Sequence, residues 1–467
     1  MSVDAPHLPR TLGFRDLLLL KLVAIVNVSL LPPVAGIGRQ ALWLWGVAFV
    51  LFFVPEVVAV LALSRRYPEE GGLYTWANRQ FGPTHGFVSG WYYWTGNLFY
   101  FPMQLVYLAG ILAYAAQGTD QSLVDQKWFV ASVATGWLTL VTALNFVGLG
   151  VGKWLPNVGA ICTGITVTLI AGAGFVAVRS GSAAPDAAAA APAAADIFSG
   201  LSVMCFAFMG VELASTMGGE IKNPRRDLPR AAMTAGALTL AVYVAVTGAL
   251  QQLLPPGDIG AIQGILQGVE LGTRRLQLEW LATPLAVVMA VSLAGGLAAW
   301  YAGSTRIPFV AGFNNALPAA LGRVHPRWGS PWVALLVQGA LTLGFIAVTM
   351  WGSSVREAYQ VLLKSSVITT LIPFGYMFLG LVRLGDEPRW KRAAGLVGLG
   401  VSAAGIAAAF APGADVANVA MYEVKLVSGS LLPLAVGLAF FVRARRSRPP
   451  IGVGSLLVRL DQETTEP

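Results

Sequence analysis

The sequence predicts an all-α polytopic membrane protein of twelve transmembrane helices, and three observations carry that prediction. Of its 467 residues, 56% are hydrophobic and only 12% charged, with a mean hydropathy of +0.66. Such values exclude an ordinary soluble domain. Twelve stretches reach the roughly 20 apolar residues that a spanning helix needs. The basic residues are also sorted to one side. With the N-terminus inside, 23 of the 31 Lys and Arg fall on inner ends and loops and seven on outer ones, leaving Lys364 within a span. This is the positive-inside bias, and it assigns both termini to the cytoplasm of a plasma-membrane protein. The net charge of +8 is thus a matter of topology, not of nucleic-acid binding.

The expected spans cover residues 16–38, 42–63, 87–117, 128–147, 154–178, 197–219, 229–253, 280–309, 331–350, 357–382, 392–411 and 426–443. The first apolar run follows about 15 polar residues without a small-residue cleavage site, so no cleavable signal peptide is expected. Cys162 and Cys205 both lie within spans, which argues against a disulfide framework or a four-ligand metal site. An Ala/Pro-rich tract at 181–195 reads as a connector. It marks a midpoint between two five-span blocks. The expected division is a cytoplasmic segment 1–15, a first block 16–178, a linker 179–196, a second block 197–382, two further helices within 383–446, and a tail 447–467. The last two helices read as scaffold or oligomer contact.

The first span of each block contains a helix breaker. Asn27-Val28-Ser29-Leu30-Leu31-Pro32-Pro33 interrupts span one, and Phe208-Met209-Gly210 interrupts span six. Breaks at corresponding positions of two halves point to a transporter's binding site. Each proline lacks an N–H, which leaves carbonyls of the preceding turn bare. Bare carbonyls persist at membrane depth only inside protein or beside a water-filled cavity. For span one alone, a kink repacked on its neighbours is the alternative. Glu212 follows the second break. An ionisable group there costs several kcal/mol unless it is paired or faces a cavity. It reads as pathway machinery, or else as a buried acid pinning two helices. Glu56 and Lys364 are the other ionisable residues within spans, while His7, His85 and His325 all lie outside them.

The stretch Phe206-Ala207-Phe208-Met209-Gly210-Val211-Glu212, followed by Glu220-Ile221-Lys222-Asn223-Pro224 and Leu228-Pro229-Arg230-Ala231, resembles helix six of the amino acid–polyamine–organocation superfamily. Tyr67 to Trp76 with Phe81-Gly82 resembles that superfamily's loop between helices two and three. Ala299 to Arg306, Ala316-Leu317-Pro318, His325-Pro326 and Pro331-Trp332 resemble the end of helix eight and the loop after it. These motifs span nearly the whole chain. The proline-containing first helix, Val54-Pro55 and Phe101-Pro102 look most like the branch of bacterial glutamate/γ-aminobutyrate antiporters.

The resemblance implies a LeuT-type fold, a 5+5 inverted repeat plus two C-terminal helices. It also implies a substrate held against the unwound parts of helices one and six. On this chain those positions are Ile25, Val26, Asn27 and Ser29, and Phe206, Ala207, Phe208 and Met209. Phe206 stands at the family's gating aromatic, Tyr93 and Asn97 where helix three lines the pocket, and Trp300 at an aromatic that occludes it. Three departures accompany the likeness. Ile25-Val26-Asn27 replaces a Gly-Ser-Gly signature, Thr163 or Gly164 stands where some relatives carry a lysine, and the branch's long C-terminal plug is missing.

Bare carbonyls at a helix break can hold an ammonium, and N–H groups at a half-helix start can hold a carboxylate. Gly210 supplies the small residue this needs, and rings such as Phe206 and Tyr93 can close over a ligand. Burial favours the neutral forms of Glu56, Glu212 and Lys364, which makes Glu212 a candidate proton carrier or pH sensor. Three roles are open to Lys364: pairing with Glu212, holding an anionic group of the substrate, or replacing a bound cation. Glu56 follows Pro55 and matches no usual family acid, so a structural or lipid-boundary role suits it equally.

No phosphate-cradling loop, zinc spacing or Ser-His-Asp arrangement is present. The chain therefore reads as a secondary transporter and not an enzyme. Amino acids are the expected substrate, carried by alternating access in exchange or with protons. The bilayer is the expected environment, with no cofactor and no nucleic acid. Two alternatives stand beside this: a polyamine or organic-cation porter, against which the positive charge of Lys364 weighs, and a membrane nutrient sensor that binds without translocating.

Overall fold

A helix in lipid must satisfy its backbone internally. Among the described residues of the computed structural model, ten helices are long and apolar enough to cross a membrane. The described residues are Phe14, Leu18, Leu22 and 25–446, apart from 69–70, 119–122, 148–153, 182–193, 213–222, 275–276, 306–316, 324, 329, 352–353, 413–415 and 417. Most of the expected segment 1–15, the middle of the Ala/Pro connector, the Glu220-Ile221-Lys222 part of the helix-six motif and the tail 447–467 lie outside them.

Fourteen helices follow one another among these residues. They are α1 (Leu31–Ala35), α2 (Gln40–Arg66), α3 (Gly72–Phe81), α4 (Pro83–Gln117), α5 (Lys127–Val147), α6 (Trp154–Arg179) and α7 (Ala194–Phe208). The second half comprises α8 (Pro224–Leu253), α9 (Gly264–Thr273), α10 (Ala282–Ser304), α11 (Trp332–Met350), α12 (Val355–Arg383), α13 (Arg389–Ala409) and α14 (Val419–Arg446). Ten of the twelve expected spans correspond to α2, α4 to α6, α8 and α10 to α14. The first and sixth spans, the two expected to be broken, supply α1 and α7. Two helices fall where loops were expected. Of these, α9 is too short to span and buries Ile265, Leu266 and Val269. It caps the end of α4 that the charge pattern places outside, where Gln263 Nε2 donates to the carbonyl of Gly110 at 2.9 Å and Tyr114 bonds Glu270.

The prolines of span one act differently from the expectation. Pro32 and Pro33 sit in the first turn of α1, where proline is best tolerated in a helix. The break itself lies upstream, at Val26 and Asn27, ahead of a 3-10 turn over Val28–Leu30. The prolines therefore start a half-helix instead of interrupting one. The Ser29 carbonyl, which Pro33 cannot serve, accepts from the Tyr359 hydroxyl of α12 at 3.3 Å.

Helices α4 and α12 form the hub. Their most apolar windows are 83% and 67% buried within the chain, against 22% for α14. The exposed Val424, Leu431, Leu432 and Val436 of α14 suit lipid or another chain, as expected for a peripheral helix. Helices α6 and α10 meet backbone to backbone at Gly159 and Gly295. A Cβ added at Gly295 would lie 2.6 Å from the Cα of Gly159, so only glycine permits this approach. Such small-residue contacts are the usual basis of tight helix packing in membranes, where burial from water gives no drive.

Candidate substrate-binding site

The site grows from the two breaks. At the first, Asn27 is extended (φ −122°, ψ 98°) and caps the turn that follows. Its Oδ1 accepts from Ser29 N at 3.1 Å, Ser29 Oγ at 2.6 Å and Gln104 Nε2 at 3.3 Å, while its Nδ2 donates to Tyr100 Oη at 3.0 Å. At the second, α7 stops at Phe208, and Gly210 takes φ +131°, a conformation open to glycine and strained for other residues. The amide of Gly210 donates to Glu212 Oε2 at 2.8 Å, and Tyr93 Oη donates to Glu212 Oε1 at 2.7 Å. The acid thereby closes the break that precedes it.

One residue stands behind both breaks. The Tyr243 hydroxyl of α8 lies 2.7 Å from the carbonyl of Ile25 and 2.9 Å from that of Ala207, and it accepts from the amide of Asn27 at 3.2 Å. A phenol has a single proton, so the two carbonyls share one donor. Tyr243→Phe is expected to destabilise the protein by about 1–3 kcal/mol, the cost of leaving buried polar groups unsatisfied. A thermal-unfolding midpoint unchanged from wild type would refute that role.

A small cavity of about 40 Å³ lies between the breaks. Ile25, Asn27, Phe206, Ala207, Met209 and Glu212 form its broken-helix walls. Helix α4 contributes Tyr93, Asn97 and Tyr100, and Trp300, Ser366 and Thr370 also line it. A second cavity, also of about 40 Å³, adjoins it and shares Asn27, Tyr100 and Trp300. Val26, Ser29, Gln104, Thr163 and Ser292 face that one. Tyr100 is the hub of the partition, its ring centroid 5.9 Å from Trp300 and 6.1 Å from Phe206. Thr163 donates to the Gly159 carbonyl at 2.9 Å and meets Ser292 Oγ at 2.7 Å.

A family model described as amino acid permease matches residues 19–441 of this chain. The chain belongs to that family. Among its relatives is an uncharacterized transporter of Legionella pneumophila, 24% identical over 91% of this chain and 95% of its own length. A probable agmatine/putrescine antiporter of Lactococcus lactis is 25% identical over 71% of this chain and 70% of its own length. A branched-chain amino acid permease of Bacillus subtilis is 23% identical, with 72% and 74% covered. These relatives are transporters, and the chain is a permease and not an enzyme.

On this permease, the structure separates the expected site residues into groups. Ile25, Asn27, Tyr93, Asn97, Phe206 and Ala207 face the first cavity together with Met209, Trp300 and Glu212, and Val26 and Ser29 face the second. Gly210 contributes its backbone. Phe208 faces neither cavity. Its ring is held at 5.5–5.8 Å from Trp45, Phe49, Phe53 and Tyr243, an aromatic nest that anchors the end of α7. Lys364 also faces neither. Its ammonium donates to Ser199 Oγ at 2.5 Å and Ser199 O at 3.3 Å, tying α12 to α7 rather than pairing with Glu212. Glu56 is 0% exposed, which overturns a lipid-boundary role for it. Tyr100, Gln104 and Tyr243 stand at this candidate site and were not named by the sequence reading. For the first two a signal existed: Tyr93, Asn97, Tyr100, Gln104 and Tyr107 recur every three or four residues and so share one face of α4.

Proposed function

We propose that this permease is a secondary active transporter of the plasma membrane. It moves amino acids or the amines related to them by alternating access, in exchange or together with protons, with both termini cytoplasmic. The observation that carries this reading is a single cavity walled by two broken helices and holding the buried carboxylate of Glu212. Broken helices expose backbone groups that can bind and release a polar solute without a covalent step. The two blocks 16–178 and 197–382 supply the halves that rock about that site, with the helices of 383–446 as scaffold.

The relatives support solutes that bear an amine. The Lactococcus protein is named for agmatine and putrescine, and the Bacillus protein for branched-chain amino acids. The sequence-based objection to amines, the charge of Lys364, loses its force because that ammonium is turned to Ser199.

Purified protein in liposomes, preloaded with an exchange solute or given an inward proton gradient, is expected to accumulate labelled solute several-fold over protein-free vesicles. Ligand-dependent thermal stabilisation with no flux would instead favour the sensor. No uptake across the standard amino acids and a set of aliphatic amines would reject transport.

A further inference from the structure

Away from the breaks, a cavity of about 490 Å³ opens between α5 and α11, at the ends that the charge pattern places outside. It is far larger than either cavity at the breaks and lies in the range of ligand sites, roughly 300–1,000 Å³. One face of each helix builds it. On α5, Lys127, Ala131 and Thr135 recur every four residues and so stand one above another. On α11, Leu343 and Ala347 do the same beside the buried Ile346 and Met350. The methyl groups of Ala131 and Ala347 leave a channel along the helices that longer side chains would close. Below Lys127 its walls are apolar except for the Thr135 hydroxyl.

The mouth has a different chemistry. Lys127 Nζ donates to the Met350 carbonyl at 2.7 Å, which leaves two of its three N–H groups for other acceptors. Among the described residues that line the cavity, Lys127 carries the charge. Nearby in the chain, Asp125 and Arg356 pair at 3.8 Å and offset each other. The start of α5 and the end of α11 also meet here, so their opposite helix poles cancel. The exposed rings of Trp128 and Trp351 flank the mouth, as befits the headgroup level of a bilayer. A cation at that level above an apolar channel matches a molecule with an anionic head and a hydrocarbon tail. A second copy of the chain fits less well. In a two-fold pair seated here with its axis normal to the membrane, both Lys127 ammoniums would stand at one depth and repel.

We infer that this channel binds an anionic phospholipid, with an acyl chain laid between α5 and α11 and the phosphate at Lys127. A zwitterionic lipid offers the same tail, but its own cation competes with the lysine for the phosphate.

The experiment places the full chain in bilayers doped with phosphatidylglycerol or phosphatidylcholine, each bearing the same photoreactive acyl chain, and maps the labelled peptides. Phosphatidylglycerol is expected to label residues 127–135 and 343–351 about fivefold more than phosphatidylcholine, the scale of one lysine acting on an anionic lipid. Lys127→Gln is expected to bring the two lipids level and Lys127→Arg to keep them apart. Ala347→Phe, which fills the channel, is expected to lower labelling by both. Should Lys127→Gln fold poorly for want of its bond to Met350, the wild-type ratio decides: it is expected to fall toward one as salt screens the head group. Equal labelling by the two lipids in wild type, or a ratio indifferent to salt, overturns the choice of an anionic head. Labelling spread evenly over other lipid-facing helices such as α14 overturns the channel as a site. Cross-links between copies through α5 and α11, with lipid excluded, would make this face an interface and overturn the lipid.

Discussion

Exchange of Glu212 for glutamine is expected to lower uptake about tenfold to a hundredfold and to flatten its dependence on pH. The carboxylate accepts from Tyr93 Oη at 2.7 Å and Gly210 N at 2.8 Å through its two different oxygens. A glutamine has one oxygen for these two donors and turns an NH₂ toward the other, so one bond is lost and one donor faces another. Hydrogen bonds to a charged group contribute about 1.5–3 kcal/mol, and 1.4 kcal/mol is a factor of ten. The pH effect follows from chemistry alone. An amide has no ionisable proton to exchange in a transport cycle, whereas a carboxyl has. Initial rates in proteoliposomes between about pH 5 and 8, beside a thermal melt of the same preparation, measure both effects. A glutamine variant whose pH profile runs parallel to wild type removes Glu212 from any proton-linked step.

Gly210→Ala is the second large effect. At φ +131° a Cβ collides with the neighbouring backbone, a strain of about 1–3 kcal/mol. The alanine variant can relieve it only by rotating the peptide that donates to Glu212, which dismantles the break. Uptake is thus expected to vanish while the protein still folds, with a lowered unfolding midpoint. An alanine variant that transports normally would falsify the conclusion that this conformation is required.

How much of this was legible beforehand varied with the distance over which each interaction acts. The break of the sixth span and its acid were readable because a glycine and a glutamate inside an apolar run each violate a local rule. The first break was expected within the stretch that begins at Asn27, but its cause was assigned to Pro32 and Pro33. A proline in a first helical turn and one in a helix interior look identical until the cap is found, and Asn27 ahead of a proline pair was the signal for that cap. Lys364 read as a pathway cation because its partner Ser199 is 165 positions away. Tyr243 was invisible for the same reason, with acceptors 36 and 218 positions distant. Phe208 lay in the right motif but on the wrong side of the helix, where Phe49 and Phe53 of α2 collect it. Sequence periodicity shows that a helix has faces, yet the neighbour on each face is decided by tertiary packing.

The meeting of Gly159 and Gly295 has a consequence for how this protein can diversify. Gly159 belongs to the wall of the second cavity, beside Thr163 and Ser292, and its neighbour across the contact is bare backbone. With no side chain between the two glycines, the spacing of α6 and α10 at this contact is fixed. The opposing wall, carrying Asn27, Tyr100 and Gln104, is made of side chains that can be exchanged singly. A lineage adapting this scaffold to a solute of another size can exchange side chains around the contact, but cannot move α6 against α10 at the two glycines.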